Sequence, residues 1–324
     1  MNVVDSDYIF KQVINEDKMG KIYLTIKSNT LFMGQVFEKE ILDKKSDENS
    51  NIKNTLFLNF RTKHENIIKY IDVKTSQKYY YTIMEYCNGG TLDENLNKYK
   101  IKYGKAISEK IIQYIIIKII DVMSYLQSLD VDNFDLSLKN IYLNYHTEEA
   151  KNNIDIIHSN IKLKLLKVQM IEFEYLYDGI KINPEIEKFN TEKRLQKDKA
   201  NEISFYLFLN NLFNGNFIFS EISQNGINIF EIKISIHLSL EAISFLINIL
   251  QIYYSKKRIE QKKFSELFNH PFLKNNVSYF RGFNKNNVVN FIKGEYLVIN
   301  INNIDVINSI INKQFYLQFN YGIK

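Results

Sequence analysis

Between Tyr8 and Glu40 apolar residues come in short alternating runs broken by turn-forming residues, as in Ile22-Tyr23-Leu24-Thr25-Ile26 followed by Lys27-Ser28-Asn29-Thr30. Alternation of this kind puts every second side chain on one face, so the segment is predicted to form antiparallel strands. Ile67 to Tyr86 repeats the pattern, is rich in Ile, Tyr and Val, and has Lys74-Thr75-Ser76-Gln77 as its turn. Between the two blocks, Ser46 to Lys63 is polar with Leu56, Phe57 and Phe60 at roughly helical spacing, which predicts a short helix. Beyond Tyr86 the period changes. Ser108 stands as an N-cap, Glu109 falls in the first turn, and apolar residues then recur at helical spacing as far as Leu126. Asn201 to Phe213 and Leu240 to Gln251 read as further helices, with Gly215 at the stop of the first. Residues 144–160 are polar and read as an insertion between two strands. The fold class is therefore α+β, with a small strand-rich front and a larger helical back.

Composition narrows the functional classes. A chain of 324 residues that is 45% hydrophobic buries a core large enough for one or two domains. A single cysteine, Cys87, excludes an internal disulfide and suits a reducing compartment. The first residues lack the basic and apolar regions of a signal peptide, so the expected location is cytoplasmic or nuclear, not secreted. The longest apolar run, Ile111 to Leu126, is interrupted by Gln113, Lys118 and Asp121, which marks a buried helix and not a membrane span. The net charge of +5 is mild, and the cluster Lys98, Lys100, Lys102 and Lys105 reads as a solvated loop. No basic stripe for nucleic acid stands out.

The most informative stretch is Asn133-Phe134-Asp135-Leu136-Ser137-Leu138-Lys139-Asn140, preceded by Tyr125-Leu126-Gln127 and followed by Ile141-Tyr142-Leu143. Upstream lies Met84-Glu85-Tyr86-Cys87-Asn88-Gly89-Gly90-Thr91-Leu92. Both of the chain's prolines fall in short motifs, Asn183-Pro184-Glu185 and His270-Pro271-Phe272. Together these resemble the catalytic loop, inter-lobe hinge, activation-segment end and last helix of eukaryotic protein kinases. The resemblance runs from about Tyr8 to Phe272 and implies a two-lobed fold, with an N-lobe of about 8–86 and a C-lobe of about 87–272. Residues 276–324 lie beyond it as an extension, where Glu295 to Ile301 and Gln314 to Phe319 alternate as strands around an Ile-rich helix. A small docking module and an extension packed on the large lobe both remain open readings of it.

The resemblance also assigns roles. Asp135 stands at the catalytic base, and Asn140 at a magnesium ligand. Backbone groups near Glu85 and Cys87 stand where the family binds the adenine of ATP, with Met84 as gatekeeper. Lys39, in Val36-Phe37-Glu38-Lys39-Glu40-Ile41, matches the phosphate lysine of V-A-x-K-x-I, while a shift of one residue aligns Glu40 instead. For the metal-binding D-F-G, Val168 to Leu176 puts Glu172 at the magnesium aspartate, and a second register, Ile161 to Lys167, puts Leu165 there and supplies no acid. Glu185 and Arg258 match a structural ion pair, and Asn201 matches the aspartate that braces the catalytic loop.

Much of the chemistry is eroded. The phosphate loop Asn15 to Ile22 keeps only Gly20 of three glycines and gains Glu16 and Asp17, which repel a polyanion. The carboxylate partner of Lys39 is missing, because the family spacing back from His64 lands near Thr55. Phe134, Ser137 and Asn133 replace the Arg, Lys and His of the catalytic loop. The expectation is a pseudokinase that binds a protein partner with ATP weak or absent and Mg2+ doubtful. The alternative is a weakly active divergent Ser/Thr kinase acting on a protein substrate.

Overall fold

The structure is a computed structural model and describes residues 4–5, 8–17, 20–40, 62–129, 136–145, 161–165, 205, 208–213, 217–224, 227–254, 264–274, 290, 292–299, 307 and 309. The chain divides into two compact units, Met1–Lys98 with Ser128–Glu187, and Tyr99–Gln127 with Lys188–Lys324.

The first unit is built on an antiparallel sheet of six strands: β1 (Val4–Asp5), β2 (Tyr8–Asp17), β3 (Gly20–Lys27), β4 (Thr30–Glu38), β5 (Tyr70–Thr75) and β6 (Tyr79–Glu85). Their order in space is β1-β2-β3-β4-β6-β5. The alternation legible in the sequence sets the register. Ile22 and Thr25 of β3 are buried, and Met33 to Gln35 of β4 are buried beside them. A two-residue turn, Ser28-Asn29, joins β3 to β4 with both φ angles positive, at 46° and 63°. That geometry matches the right-handed twist of the flanking strands. Tyr8, Phe10, Tyr81 and Ile83 form one buried cluster of this unit. Phe10 meets Tyr23 edge-on at 5.7 Å, a favoured arrangement of ring quadrupoles. A second cluster gathers Ile22, Met33, Ile68, Tyr70, Met84, Cys87 and Tyr142. The last of these comes from a hairpin of β7 (Ile141–Tyr145) and β8 (Ile161–Leu165).

Helix α1 (Leu92–Tyr103) begins with a reciprocal cap at Thr91. The Thr91 hydroxyl accepts from the Glu94 N–H, and the Glu94 carboxylate accepts from the Thr91 N–H, both at 3.2 Å.

In the second unit, α2 (Glu109–Ser128) and α3 (Leu240–Tyr254) appear where 3.6-residue periodicity places them. Isoleucines 111, 112, 115, 116, 119 and 120 of α2 are all buried. Ser239 caps α3 by accepting from the Ala242 N–H at 3.1 Å, and the Glu109 carboxylate accepts from the Ser239 N–H at 2.8 Å. Helical residues 208–212 lie within the predicted helix Asn201 to Phe213.

One part of the helical back differs from expectation. Residues 217–235 form a hairpin, β9 (Phe217–Gln224) and β10 (Ile227–Ser235). β12 (Tyr296–Ile299) pairs with β10, and β11 (Ile292–Lys293) pairs with β12, giving a four-stranded sheet in the order β11-β12-β10-β9. Strands from residues 276–324 are thus hydrogen-bonded into the sheet of this unit. The predicted helix in Ser46 to Lys63 and the strand Gln314 to Phe319 lie outside the described residues, apart from Thr62 and Lys63.

Candidate functional site

The hinge is fastened on both sides. The Glu85 N–H donates to the Lys69 carbonyl at 3.0 Å, while the Lys69 N–H donates to the Glu85 carboxylate at 2.8 Å. Past Cys87 the chain runs against β7. The Gly89 N–H donates to the Leu143 carbonyl at 3.0 Å, and the Leu143 N–H to the Gly90 carbonyl at 2.9 Å. The Asn88 side-chain amide donates to the Tyr145 carbonyl at 3.0 Å and accepts from the Tyr145 N–H at 2.8 Å. Asn88 thereby serves β7 as an extra strand residue would. The two glycines are demanded by this approach. A Cβ on Gly89 would lie 2.4 Å from the Tyr145 ring, and Gly90 has φ +72°.

The inner side of the hinge is filled by protein. Cys87, Met84, Met33, Ile22 and Tyr142 belong to one buried cluster, with Ile14 and Tyr86 packed against it. Tyr142 is 2% exposed, and its hydroxyl accepts a 2.8 Å hydrogen bond from the Asn15 side-chain amide. Asn15 belongs to β2 and is the first residue of the segment aligned with the phosphate loop.

The aligned phosphate loop is an ordinary hairpin. Strand pairing continues through Glu16↔Lys21 to Asp17↔Gly20. Glu16 and Lys21 form an ion pair at 3.5 Å, but both side chains are about half exposed, and such pairs add little to stability. Gly20 has φ +155°, and a Cβ there would fall 2.0 Å from the Val36 carbonyl oxygen. The surviving glycine is required by the close approach of β3 to β4, whatever else it does.

Strand β4 ends at Glu38, one residue before Lys39. The Lys39 N–H donates to the Lys78 carbonyl at 2.9 Å, and its ammonium sits 4.7 Å from the centre of the Tyr80 ring. An aromatic face thus meets the lysine that has no carboxylate partner at the family position. Glu40, the alternative, is exposed. Nearby, Gln35 and Thr82 are paired across β4 and β6, and both are buried. Gln35 Nε2 and Thr82 Oγ1 have no hydrogen-bond partner.

Of the catalytic loop, Asn133, Phe134 and Asp135 lie outside the described residues, so the candidate base has no geometry here. Ser137, at the family's lysine position, caps the turn Leu138–Asn140. Its hydroxyl accepts from the Lys139 N–H at 3.4 Å and its carbonyl from the Asn140 N–H at 2.8 Å. Asn140 is 6% exposed at the start of β7. β7 then pairs with β8 from Ile141↔Leu165 to Tyr145↔Ile161. β8 is the strand of the register that puts Leu165 at the metal position. Glu172 follows seven residues later, outside the described residues, as do Pro184, Glu185, Asn201 and Arg258.

The His270-Pro271-Phe272 motif forms a half-buried corner in the second unit, with Phe272 in the core. His270 Nδ1 accepts from the Phe272 N–H at 3.2 Å, and Nε2 lies 3.3 Å from the Ser244 hydroxyl. Phe245 packs against both His270 and Phe272, at 5.3 and 5.2 Å. Burial pushes the His270 imidazole down to about 4.

The structure brings Gly20, Lys39, Glu85, Cys87 and Asn140 into one unit. Sequence reasoning missed Asn15, Tyr80, Asn88 and Tyr142. Only Asn88 carried a signal, as a hydrogen-bonding residue in an open position of the hinge motif.

Residues 8–163 match the protein kinase domain family. Calcium-dependent protein kinase 6 of Plasmodium berghei is 27% identical over 325 aligned positions, which span 94% of this chain and 21% of that protein. Mouse serine/threonine-protein kinase Nek3 is 28% identical over 141 positions, 43% of this chain and 26% of that protein. The chain thus spans about a fifth to a quarter of these relatives. Among solved structures, Rad53 residues 1–466 in complex with AMP-PNP superposes with a TM-score of 0.57 at 16% identity, covering 82% of this chain and 65% of that one. The hinge joined to β7, the loop ending in Asn140 and these likenesses agree: the chain is similar to protein kinases and has a kinase-like fold.

Proposed function

We propose that this chain is a pseudokinase, a kinase-fold module that works by binding a protein partner, with ATP binding weak or absent and magnesium of little consequence. The observation that carries this reading is the β7–β8 register. Ile141, the residue after Asn140, pairs with Leu165, so the strand beside the catalytic loop is Ile161-Lys162-Leu163-Lys164-Leu165, which holds no carboxylate. A magnesium ion needs oxygen ligands at short distance, and this strand supplies no side-chain one. Lys39 over Tyr80 and the capping role of Ser137 support the same reading, since phosphoryl transfer depends on placed positive charge. We also infer a kinase-like region of 8–272 whose extension, 276–324, is integrated through β12 rather than acting as a separate docking module.

A phosphoryl-transfer assay on a generic protein substrate tests the reading, with Asp135→Ala as control. The expected result is the same background in parent and variant. Robust transfer abolished by Asp135→Ala overturns it and selects the second reading. That reading is a divergent Ser/Thr kinase using Asp135, Lys39, Asn140 and Glu172, and the likeness to serine/threonine kinases such as mouse Nek3 favours it.

A further inference from the structure

On the hinge side of the first unit the Tyr142 ring is packed into an apolar cluster. Tyr142 is 2% exposed in a cluster with Ile22 (1%), Met33 (0%), Met84 (0%) and Cys87 (4%). Two sets of bonds hold it there. On one side the backbone of β7 is tied to the hinge through Gly89, Gly90 and Asn88, with a bridge between Thr91 and Tyr142 itself. On the other, the Asn15 amide donates to the Tyr142 hydroxyl at 2.8 Å, linking the hairpin of β2 and β3 to β7. A buried phenol without a partner costs free energy, so this bond lets the ring stay in an otherwise apolar slot.

We propose that Tyr142 is the built-in occupant of the hinge slot, a planar ring with one polar edge standing where a purine would lie, and that removing the ring converts the slot into a site for a flat heteroaromatic such as adenine. The proposal rests on the pseudokinase reading and gives it a physical cause. The site left behind would be lined by Ile22, Met33, Met84 and Cys87, with the Asn15 amide at its edge as a hydrogen-bond donor. An apolar cavity of ring size bounded by one or two polar groups suits such a ligand. The Asn15 bond acts as a strap, since it ties the Tyr142 hydroxyl to the hairpin.

Adenosine is the probe, titrated by calorimetry and by thermal shift against the parent, Tyr142→Leu, Tyr142→Ala and Tyr142→Phe, each checked for native circular dichroism. The parent and Tyr142→Phe, which keep the ring, should show no binding. Tyr142→Leu and Tyr142→Ala should bind adenosine at least about tenfold more tightly than the parent, equivalent to about 1.4 kcal/mol. Tyr142→Leu keeps apolar contacts and remains a fair test where Tyr142→Ala unfolds. Adenosine binding to the parent as tight as to either variant overturns the proposal, because the slot is then open already. A folded Tyr142→Leu variant that gains nothing also overturns it. Failure of the pseudokinase reading is separate: it shows as phosphoryl transfer by the parent, whereas failure of this inference alone shows as no transfer and no gain on ring removal.

Discussion

The Lys39 ammonium, one residue past the end of β4, lies 4.7 Å from the centre of the Tyr80 ring on β6. A cation over an aromatic face is attracted by the ring quadrupole, and at a partly exposed site this contributes about 0.5–1 kcal/mol. The contact gives Lys39 a packing role that needs no phosphate.

Lys39→Met should therefore cost little stability and change nothing in nucleotide response. A loss of about 1 kcal/mol moves the melting temperature by roughly 2–4 °C in a domain of this size. Thermal melts with and without ATP and magnesium check this. A large magnesium-dependent stabilisation of the parent that disappears in Lys39→Met would place the lysine on the phosphates after all.

Gly20→Ala should destabilise the first unit. The added methyl would lie 2.0 Å from the Val36 carbonyl oxygen, and the φ of +155° is one that side-chain-bearing residues rarely adopt. Relief requires the β3–β4 pairing to shift, and strain of this kind costs on the order of 1–3 kcal/mol. Urea unfolding reads it directly. A midpoint equal to the parent's would mean that the close approach to Val36 is absent in solution.

Gln35→Met and Thr82→Val should leave the fold intact and raise its stability, by about 1 kcal/mol each. Both side chains are buried with a polar atom that has no hydrogen-bond partner, and such groups forfeit about 1–3 kcal/mol of solvation. The replacements keep a similar shape while removing the unsatisfied polar atom, an exchange that is neutral or stabilising. Denaturation midpoints lower than the parent's in both variants would reveal partners for these groups.

Acid should loosen the corner at His270. Its imidazole is neutral in the folded chain down to about pH 4, because burial disfavours the charged form. An unfolded histidine titrates near pH 6.5, so between these values the unfolded state binds the extra proton. Stability contributed by neutral His270 is full above about pH 6.5 and falls as pH drops towards 4, with a slope of at most about 1.4 kcal/mol per pH unit. His270→Asn keeps an acceptor for the Phe272 N–H without a titrating group, so its stability curve should be flatter over that window. Parallel curves for the two proteins would rule out His270 as the source.

Local periodicity determined much of this protein without help from tertiary structure. Alternation in 8–40 and 67–86 dictated the strands, and the isoleucine spacing of 109–128 dictated the buried helix, because each pattern reports which face meets the core. Motif spacing placed the hinge and the Asn140 turn. Long-range pairing was another matter. Phe217–Gln224 and Ile227–Ser235 form strands that join with Tyr296–Ile299, a partner more than sixty residues away whose identity no local pattern encodes. The pairing of Ile141–Tyr145 with Ile161–Leu165 is likewise a choice of partner that no local pattern encodes. The filling of the hinge by Tyr142 was decided only in three dimensions. Its ring is one of 22 tyrosines in the sequence, and it gains its meaning from burial beside Cys87 and from a hydrogen bond to Asn15, 127 positions away.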